Sequence, residues 1–257
     1  MRHFFLYTSN RLEHLALVLA RVTAEPLDPM RPETILVQSA GMQRWVSMQL
    51  AREHGVWANA RFPFPVAFAY DLARALLPGL PEEYPLSQER MLWRVASLLP
   101  GLADRPEFAP VRRYLDGADT LKLIQLARKI AFHFDQYLIF RPRWAALWES
   151  GRTCGETHGD PGAEAWQAVL WRETAKGREQ EHRAALLRRV MEALRQKTAV
   201  LPPRLSVFGI STLPPAYLDL LLALAEHVPV HMFLLSPSRQ YWGDCRDGGN
   251  DCGSTAF

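Results

Sequence analysis

Two stretches of the sequence combine aromatic and polar side chains in a way that suits binding to unpaired nucleic-acid bases. The first runs from Phe62 to Tyr70 and places Phe64 between two prolines, close to Arg61. Exposed aromatic rings stack on bases of any sequence, and each stacked base contributes about 1–3 kcal/mol. The alternative is that these rings fill a core beneath a proline-bounded loop. We expect that core role for Phe62 and Phe68, and both interpretations stay open for Phe64 and Tyr70.

The second stretch runs from Phe132 to Arg141 and also carries Asp135 and Gln136. Their guanidinium, carboxylate and amide groups are able to hydrogen-bond to the edges of bases. The alternative is an ordinary amphipathic helix that buries Phe134 and Leu138.

A phosphate-binding loop is not recognisable. Such a loop needs glycines and a Lys-Ser/Thr pair in the first strand–helix turn, because backbone amides there surround the anion. The turn at 7–12 reads YTSNRL, and no Gly-Lys dipeptide occurs in the chain. We therefore expect no ATP hydrolysis and no bound cofactor. Arg11 is expected to be a solvent-facing residue of the first helical turn.

Metal and nucleophile patterns are equally incomplete. Cys154 and His158 have the spacing of two metal ligands but lack a second pair at a suitable distance, and Cys245 and Cys252 lie in a glycine-rich tail. The sequence from 209 begins like a nucleophile elbow, but Leu213 occupies the position of the second glycine. We expect neither a metal site nor an active site in this chain.

The composition is that of a soluble globular protein. The 257 residues are 48% hydrophobic and 22% charged, which excludes collagen-like, disordered and disulfide-rich classes. The formal net charge of +3 excludes a wholly cationic surface but not a basic groove. Three cysteines without regular spacing favour a reducing compartment. Since the sequence shows neither a signal-peptide pattern nor a membrane-spanning apolar run, we expect a cytoplasmic protein.

Hydrophobic periodicity predicts a parallel α/β fold. Apolar runs at 4–7 and 35–37 read as strands, and each is followed by a polar turn and an amphipathic helix. Two consecutive strand–turn–helix units imply a parallel sheet with right-handed crossovers. Further strands are predicted at 205–209 and 230–235. The helix predicted between them, at 215–227, is strongly apolar and has four apolar residues on one face: Leu218, Leu221, Leu222 and Ala225.

The strand signal disappears in the middle of the chain, where helices are predicted at 86–99, 120–140 and 164–200. This pattern indicates an α/β domain interrupted by a helical insertion. The expected divisions are a first part of the α/β domain at 1–77, the insertion at 78–202, a return to the α/β domain at 203–246, and an irregular tail at 247–257.

Several short blocks then occur in a fixed order. They are YTSNRL at 7–12, ILVQSAGM at 35–42, NARFPFPVAF at 59–68, FDQYL at 134–138 with Arg141-Pro142, AWQA at 165–168 with Leu170-Trp171, GIS at 209–211 with LPP at 213–215, and YWGD at 241–244. Together they resemble the N-terminal region of the exodeoxyribonuclease V gamma subunit family, RecC. Members of that family are several times longer, and the residues after 246 depart from its pattern. We therefore expect this chain to be an N-terminal fragment or a truncated product.

The resemblance implies a superfamily 1 helicase-like sheet of the P-loop type that has lost its ATPase motifs, with a large helical insertion (1B-like). In the family the subunit is non-catalytic and holds together the helicase–nuclease beta subunit and the helicase alpha subunit. It helps to split the duplex and channels the 3′ strand through a tunnel in which the Chi hotspot is recognised. The implied partners are therefore these two subunits and DNA, with ATP and Mg expected only on the partner subunits.

The tunnel positions that the resemblance carries onto this sequence are Phe64, Tyr70, Asp135, Gln136, Arg141 and Arg183. Phe132 and His133 depart from the family pattern, which is acidic and then aliphatic at these two positions.

The leading expectation is a non-catalytic DNA-binding and scaffolding subunit of a nuclease complex for double-strand-break repair. Arginines would neutralise phosphates, Phe64 and Tyr70 would stack on bases, and Asp135, Gln136 and Arg141 would contact base edges. Two alternatives stay open. One is a protein-interaction module whose aromatic residues dock partner subunits without touching DNA. The other is an ATPase or helicase with an unrecognised nucleotide site.

Overall fold

A computed structural model of the chain describes residues 3–28, 30–117, 119–155, 161–196 and 201–237. The block at 241–244, the tail predicted at 247–257 and three candidate ligands, His158, Cys245 and Cys252, lie outside these residues. Within the described ranges, no helix has the length and apolar character that crossing a membrane requires.

Five parallel strands form one sheet in the described part of the chain. Their bounds are β1 Phe4–Ser9, β2 Glu33–Leu36, β3 Ala60–Arg61, β4 Leu205–Phe208 and β5 Val230–Leu235. They lie in the order β1-β5-β4-β2-β3, and each adjacent pair is parallel. The prediction of a parallel α/β sheet is therefore confirmed.

The burial of the inner strands β2 and β4 explains why short apolar runs were enough to predict them. All four residues of β2 and all four of β4 are buried. Strands covered on both faces show continuous rather than alternating hydrophobicity. The outer strand β1 differs, because Leu6 is 55% exposed.

The described residues divide into two compact units. The sheet unit takes in the described residues of 1–64, 202–212 and 228–237. It contains α1 (Leu12–Thr23) and α2 (Ala40–His54) besides the five strands. Side chains of both helices and of the strands share one core, which includes Leu15, Leu19, Val46, Leu50, Phe208 and Phe233.

The helical unit takes in the described residues of 65–201 and 213–227. Its helices are α3 Pro65–Leu76, α4 Gln88–Leu102, α5 Ala109–Leu115, α6 Thr120–Phe140, α7 Pro142–Glu149, α8 Pro161–Ala175, α9 Arg183–Arg195 and α10 Pro215–Leu224. Its core is aromatic at the centre, where the Phe134 ring lies edge-to-face with Trp148 at 6.3 Å and with Trp171 at 5.4 Å.

Two helix predictions were wrong in detail. The stretch predicted as one helix at 164–200 forms α8 and α9, separated by a turn in which Gly177 has φ 76°. Glycine adopts this left-handed conformation without a Cβ clash, so it ends helices readily. In α10 the buried residues include Tyr217 and Leu220, whereas Leu218 is 38% exposed and Leu222 is half-buried. Leu221 and Ala225 are buried, so the apolar face predicted from the sequence is buried only in part.

The aromatic residues expected in the core are found there. Phe68 is 7% exposed, and the half-buried Phe62 packs against the core of the sheet unit.

Candidate nucleic-acid interface

Phe64 is the exposed aromatic residue of the segment that follows β3, with 47% of its surface accessible. The backbone just before it is held, because the Pro63 carbonyl accepts a hydrogen bond from the Val37 N–H at 3.3 Å. Phe64 therefore belongs to the sheet unit and presents its ring on a fixed backbone.

Tyr70 lies on α3 in the helical unit and is half-buried. Its hydroxyl donates a hydrogen bond to the Pro81 carbonyl at 2.8 Å, and the Glu83 carbonyl lies 3.4 Å away. Its ring meets the Tyr84 ring edge-to-face at 5.3 Å. Burial raises the pKa of Tyr70, and Arg74 opposes that rise. Tyr70 is thus already engaged by its own unit, unlike Phe64.

Asp135 on α6 and Arg183 on α9 form an ion pair. Arg183 Nη1 lies 2.9 Å from Asp135 Oδ1 and 3.2 Å from Oδ2, and the contact to Oδ2 is aligned as a hydrogen bond. The two side chains are 18% and 11% exposed, respectively. Burial raises the pKa of the Asp135 carboxyl, and the Arg183 guanidinium opposes the rise. The two charges therefore pair inside the helical unit, while Asp135 Oδ1 has no aligned hydrogen-bond donor among the described residues.

Gln136 and Arg141 lie at the C-terminal end of α6. Gln136 is half-buried and Arg141 is exposed. The Arg141 guanidinium lies over the Trp144 ring, with Cζ 4.7 Å from the ring centroid. The Arg141 N–H donates to the Tyr137 carbonyl at 2.8 Å. These contacts place Arg141 at the junction of α6 and α7.

Tyr84, which the sequence alone did not single out, contacts both Tyr70 and Arg183. The Tyr84 hydroxyl accepts a hydrogen bond from the Arg183 N–H at 2.8 Å, and the Tyr84 ring also contacts Tyr70. No local pattern indicates this role, because Tyr84 lies in an irregular segment and Arg183 is 99 positions away in the sequence.

α6 also carries an exposed face, which we call the α6 face. Its members recur every three or four residues and therefore lie on one side of the helix. Phe132 is 46% and Phe140 is 55% exposed. With the half-buried Gln136, the exposed members are Gln125, Arg128, Lys129, Phe132, His133 and Phe140. Phe134 and Leu138 are each 1% exposed, which confirms the amphipathic helix.

The α6 face is cationic. Asp135 is the one carboxylate in the sequence from 120 to 140, and its charge is paired with Arg183. Arg128 and Lys129 are exposed one turn of the helix before Phe132. Rings that stack on bases, combined with cations that neutralise phosphates, are the means by which proteins bind single-stranded nucleic acid. The spacing of these residues was visible in the sequence and was the signal that could have found them.

The turn after β1 differs from a glycine-lined phosphate cradle. The Ser9 hydroxyl accepts a hydrogen bond from the Arg11 N–H at 3.1 Å, and α1 begins at the next residue. Near the end of β4, a Cβ added at Gly209 would lie 3.0 Å from the Met42 methyl carbon. Among the described residues, no three His, Cys, Asp or Glu side chains are grouped to hold a metal ion.

Comparison with known proteins identifies relatives along nearly the whole chain. Residues 4–254 match the family model described as "RecC, N-terminal domain". The RecBCD enzyme subunit RecC of Escherichia coli (strain K12) is 43% identical over 253 residues, which cover 94% of this chain and 22% of that protein. The RecC subunit of Haemophilus influenzae is 36% identical over 271 residues, covering 95% of this chain and 24% of that protein.

A more distant relative is the RecC subunit of Mycolicibacterium smegmatis, 29% identical over 246 residues. That match covers 92% of this chain and 21% of the relative. The chain therefore spans between a fifth and a quarter of the length of these curated relatives. On the family match and the two stronger identities together, the chain belongs to the RecC N-terminal domain family.

Proposed function

We propose that this chain is the N-terminal part of a non-catalytic, DNA-binding and scaffolding subunit of the exodeoxyribonuclease V complex. Its role would lie in double-strand-break repair and homologous recombination. The observation that carries the proposal is the α6 face, where two exposed cations are followed by two exposed aromatic rings in a chain of the RecC family.

On this proposal the sheet unit is a helicase-like domain without a working phosphate loop. The YTSNRL turn, closed by the Ser9 hydroxyl, supports that view. ATP and Mg would then act on the alpha and beta subunits only.

The 3′ single strand is proposed to run along the α6 face. Phe132 and Phe140 stack on bases, and Arg128 and Lys129 neutralise phosphates. Gln136 offers an amide that both donates and accepts hydrogen bonds, the group best suited to the edge of adenine. Arg141, at the end of the same helix, would add contacts to base edges, and these contacts together would recognise Chi.

Phe64 is proposed as a second stacking position, carried by the sheet unit. Tyr70 has a smaller role in this scheme, because its hydroxyl is bonded to the Pro81 carbonyl and its ring contacts Tyr84. Asp135 and Arg183 are proposed to act indirectly, by holding α6 against α9.

The outer strand β1 supports the scaffolding part of the proposal. Parallel strands are normally covered on both faces, yet Leu6 is 55% and Phe5 is 41% exposed. An apolar outer strand is a surface on which other protein can dock. We assign this surface to contact with a partner subunit.

Fluorescence anisotropy with a labelled single-stranded oligothymidylate tests the DNA-binding part. The Phe132→Ala/Phe140→Ala variant should bind at least tenfold more weakly, since each lost stacking contact costs about 1–3 kcal/mol. Trp93→Ala is the matched control, because Trp93 is a 60% exposed aromatic residue on α4. Equal affinity of the double variant and the control would contradict the proposal.

Salt dependence tests the phosphate contacts separately. Each of Arg128→Gln and Lys129→Gln should lower the slope of log affinity against log salt concentration by about 0.7. An unchanged slope in both variants would remove these residues from the interface. ATP turnover by the purified chain would contradict the non-catalytic role and favour the helicase alternative.

A further inference from the structure

Tyr84 lies where two of the residues expected to contact DNA converge. Its hydroxyl accepts the Arg183 N–H at 2.8 Å, and the Arg183 guanidinium carbon lies 5.3 Å from the centroid of its ring. The edge-to-face contact with Tyr70 is made by the same ring. Tyr84 therefore contacts both the backbone and the side chain of Arg183.

The segment that carries Tyr84 is itself held on two sides. From α3, the Tyr70 hydroxyl donates to the Pro81 carbonyl at 2.8 Å. From α4, Arg90 pairs with Glu83. The Arg90–Glu83 pair is exposed and contributes little, but the Ser87 N–H before α4 donates to the Tyr84 carbonyl at 3.4 Å. The Tyr70 and Ser87 hydrogen bonds thus give Tyr84 a defined position from which to hold Arg183.

The hydroxyl of Tyr84 accepts a hydrogen bond from a backbone N–H that has no partner within α9. Arg183 is the first residue of α9, and the first N–H groups of a helix have no partner within the helix. His182 caps another of them by accepting the Ala185 N–H at 3.2 Å. Tyr84 completes the cap at Arg183 and so fixes where the Arg183 side chain begins.

The ring of Tyr84 contributes at the other end of the same side chain. Arg183 Nε is buried and has no hydrogen-bond acceptor among the described residues. The electron-rich face of an aromatic ring attracts a guanidinium and a buried N–H group. The ring thus lies against the guanidinium whose Nη1 is directed at the Asp135 carboxylate.

We propose that Tyr84 is a positioning residue for the Asp135–Arg183 ion pair. It holds Arg183 in the geometry that pairs with Asp135, and the pair in turn fixes α6 against α9. The last step, from a fixed α6 to DNA affinity, rests on the function proposed above.

The charges around Asp135 make this proposal measurable. The groups that face the Asp135 carboxyl are Arg183 on α9, Tyr84 and, on α10, Tyr217. Burial raises the pKa of both tyrosines, so neither carries a charge near neutral pH. Arg183 is therefore the group that opposes the rise in the Asp135 pKa, and displacing it should raise that pKa further.

The experiment titrates the Asp135 carboxyl carbon by NMR in the 257-residue chain. Tyr84→Phe removes the hydroxyl alone, and Tyr84→Leu removes the ring as well. We expect the Asp135 pKa to rise in both variants, by about one unit in Tyr84→Leu and by less in Tyr84→Phe. Tyr114→Phe is the control, since Tyr114 is exposed and its ring lies near Lys122.

An unchanged Asp135 pKa in Tyr84→Phe and Tyr84→Leu would overturn the proposal, whatever the stability of the variants. If Tyr84→Leu does not fold, the near-isosteric Tyr84→Phe decides the result alone. Oligothymidylate affinity, measured in parallel, should fall about threefold to tenfold in the Tyr84 variants. If the unaltered chain does not bind DNA, the proposed function is contradicted. The Asp135 pKa alone then tests the role of Tyr84.

Discussion

Arg183 Nη1 lies 2.9 Å from Oδ1 of Asp135, across a pairing that joins α9 to α6 in the interior of the helical unit. Both residues were expected to contact DNA directly. Their pairing divides the expected site into two parts. On the function proposed above, Asp135 and Arg183 hold the helix, whereas the exposed α6 face binds the single strand.

Asp135→Asn should destabilise the helical unit more than an ordinary surface substitution. Removing one partner of a largely buried pair leaves the other charge uncompensated, which costs about 3–5 kcal/mol. We expect the lower end of that range, because Arg183 is 18% exposed. Urea unfolding measures the loss.

The control for that substitution is Glu173→Gln. Glu173 pairs with Lys176 at 3.9 Å, and the Lys176 side chain is 75% exposed. Such a surface pair contributes about 0–1 kcal/mol. Equal losses in the two variants would show that the Asp135–Arg183 pair does not hold α6 in the way we describe.

Acid should weaken the fold through Glu164. Its Oε1 accepts hydrogen bonds from the Trp148 indole N–H at 2.8 Å and from the Cys154 N–H, and Oε2 accepts the Gly155 N–H at 3.1 Å. Burial alone would raise the pKa of Glu164, but these donors outweigh it and lower the pKa below its ordinary value of 4.5. The ionised form is therefore favoured by folding.

The sign of the pH effect follows from that lowered pKa. The stabilisation is present above the pKa of the unfolded chain and is lost as the pH falls through the lower folded value. Between about pH 5 and pH 3, unfolding free energy should fall more steeply in the unaltered chain than in Glu164→Gln. The raised pKa of Asp135 contributes with the opposite sign, equally in both proteins. Identical pH profiles would contradict this role of Glu164.

Gly209→Ala should destabilise the sheet unit by about 1–2 kcal/mol, the cost of a left-handed conformation for a residue with a Cβ. Gly209 has φ 65°, and the added Cβ would also approach the Met42 methyl carbon. Because the end of a methionine side chain can shift, we attribute the cost to the backbone. Urea unfolding of Gly209→Ala, Met42→Ala and the double variant should show nearly additive losses. Strong rescue of Gly209→Ala by Met42→Ala would assign the cost to the steric contact instead.

Local sequence patterns were sufficient for much of the fold. α6 has its predicted bounds, 120–140, because its buried residues follow helical spacing without interruption. The strand β5 was equally clear as an apolar run at 230–235. The buried face of α10 was not clear from the sequence. This helix is apolar on nearly all sides, so hydrophobic periodicity does not single out one of them. Gly177 was passed over because helical residue types continue on both sides of it.

The candidate site was likewise predictable from the sequence only in part. The α6 face follows from the spacing of Phe132, Gln136 and Phe140 and could have been predicted. The pairing of Asp135 with Arg183 joins residues 48 positions apart, and the Tyr84 contact joins residues 99 positions apart. Such contacts arise from tertiary packing, which no local pattern records.

The most direct test of the central claim is photocrosslinking to a single-stranded oligonucleotide that carries 5-iodouracil, with the adducts mapped by mass spectrometry. This base reacts with aromatic side chains on which it stacks. We predict adducts on the α6 face, at Phe132, His133 or Phe140. Adducts confined to other parts of the chain, or none under conditions where the oligonucleotide binds, would contradict the claim that single-stranded DNA lies along α6.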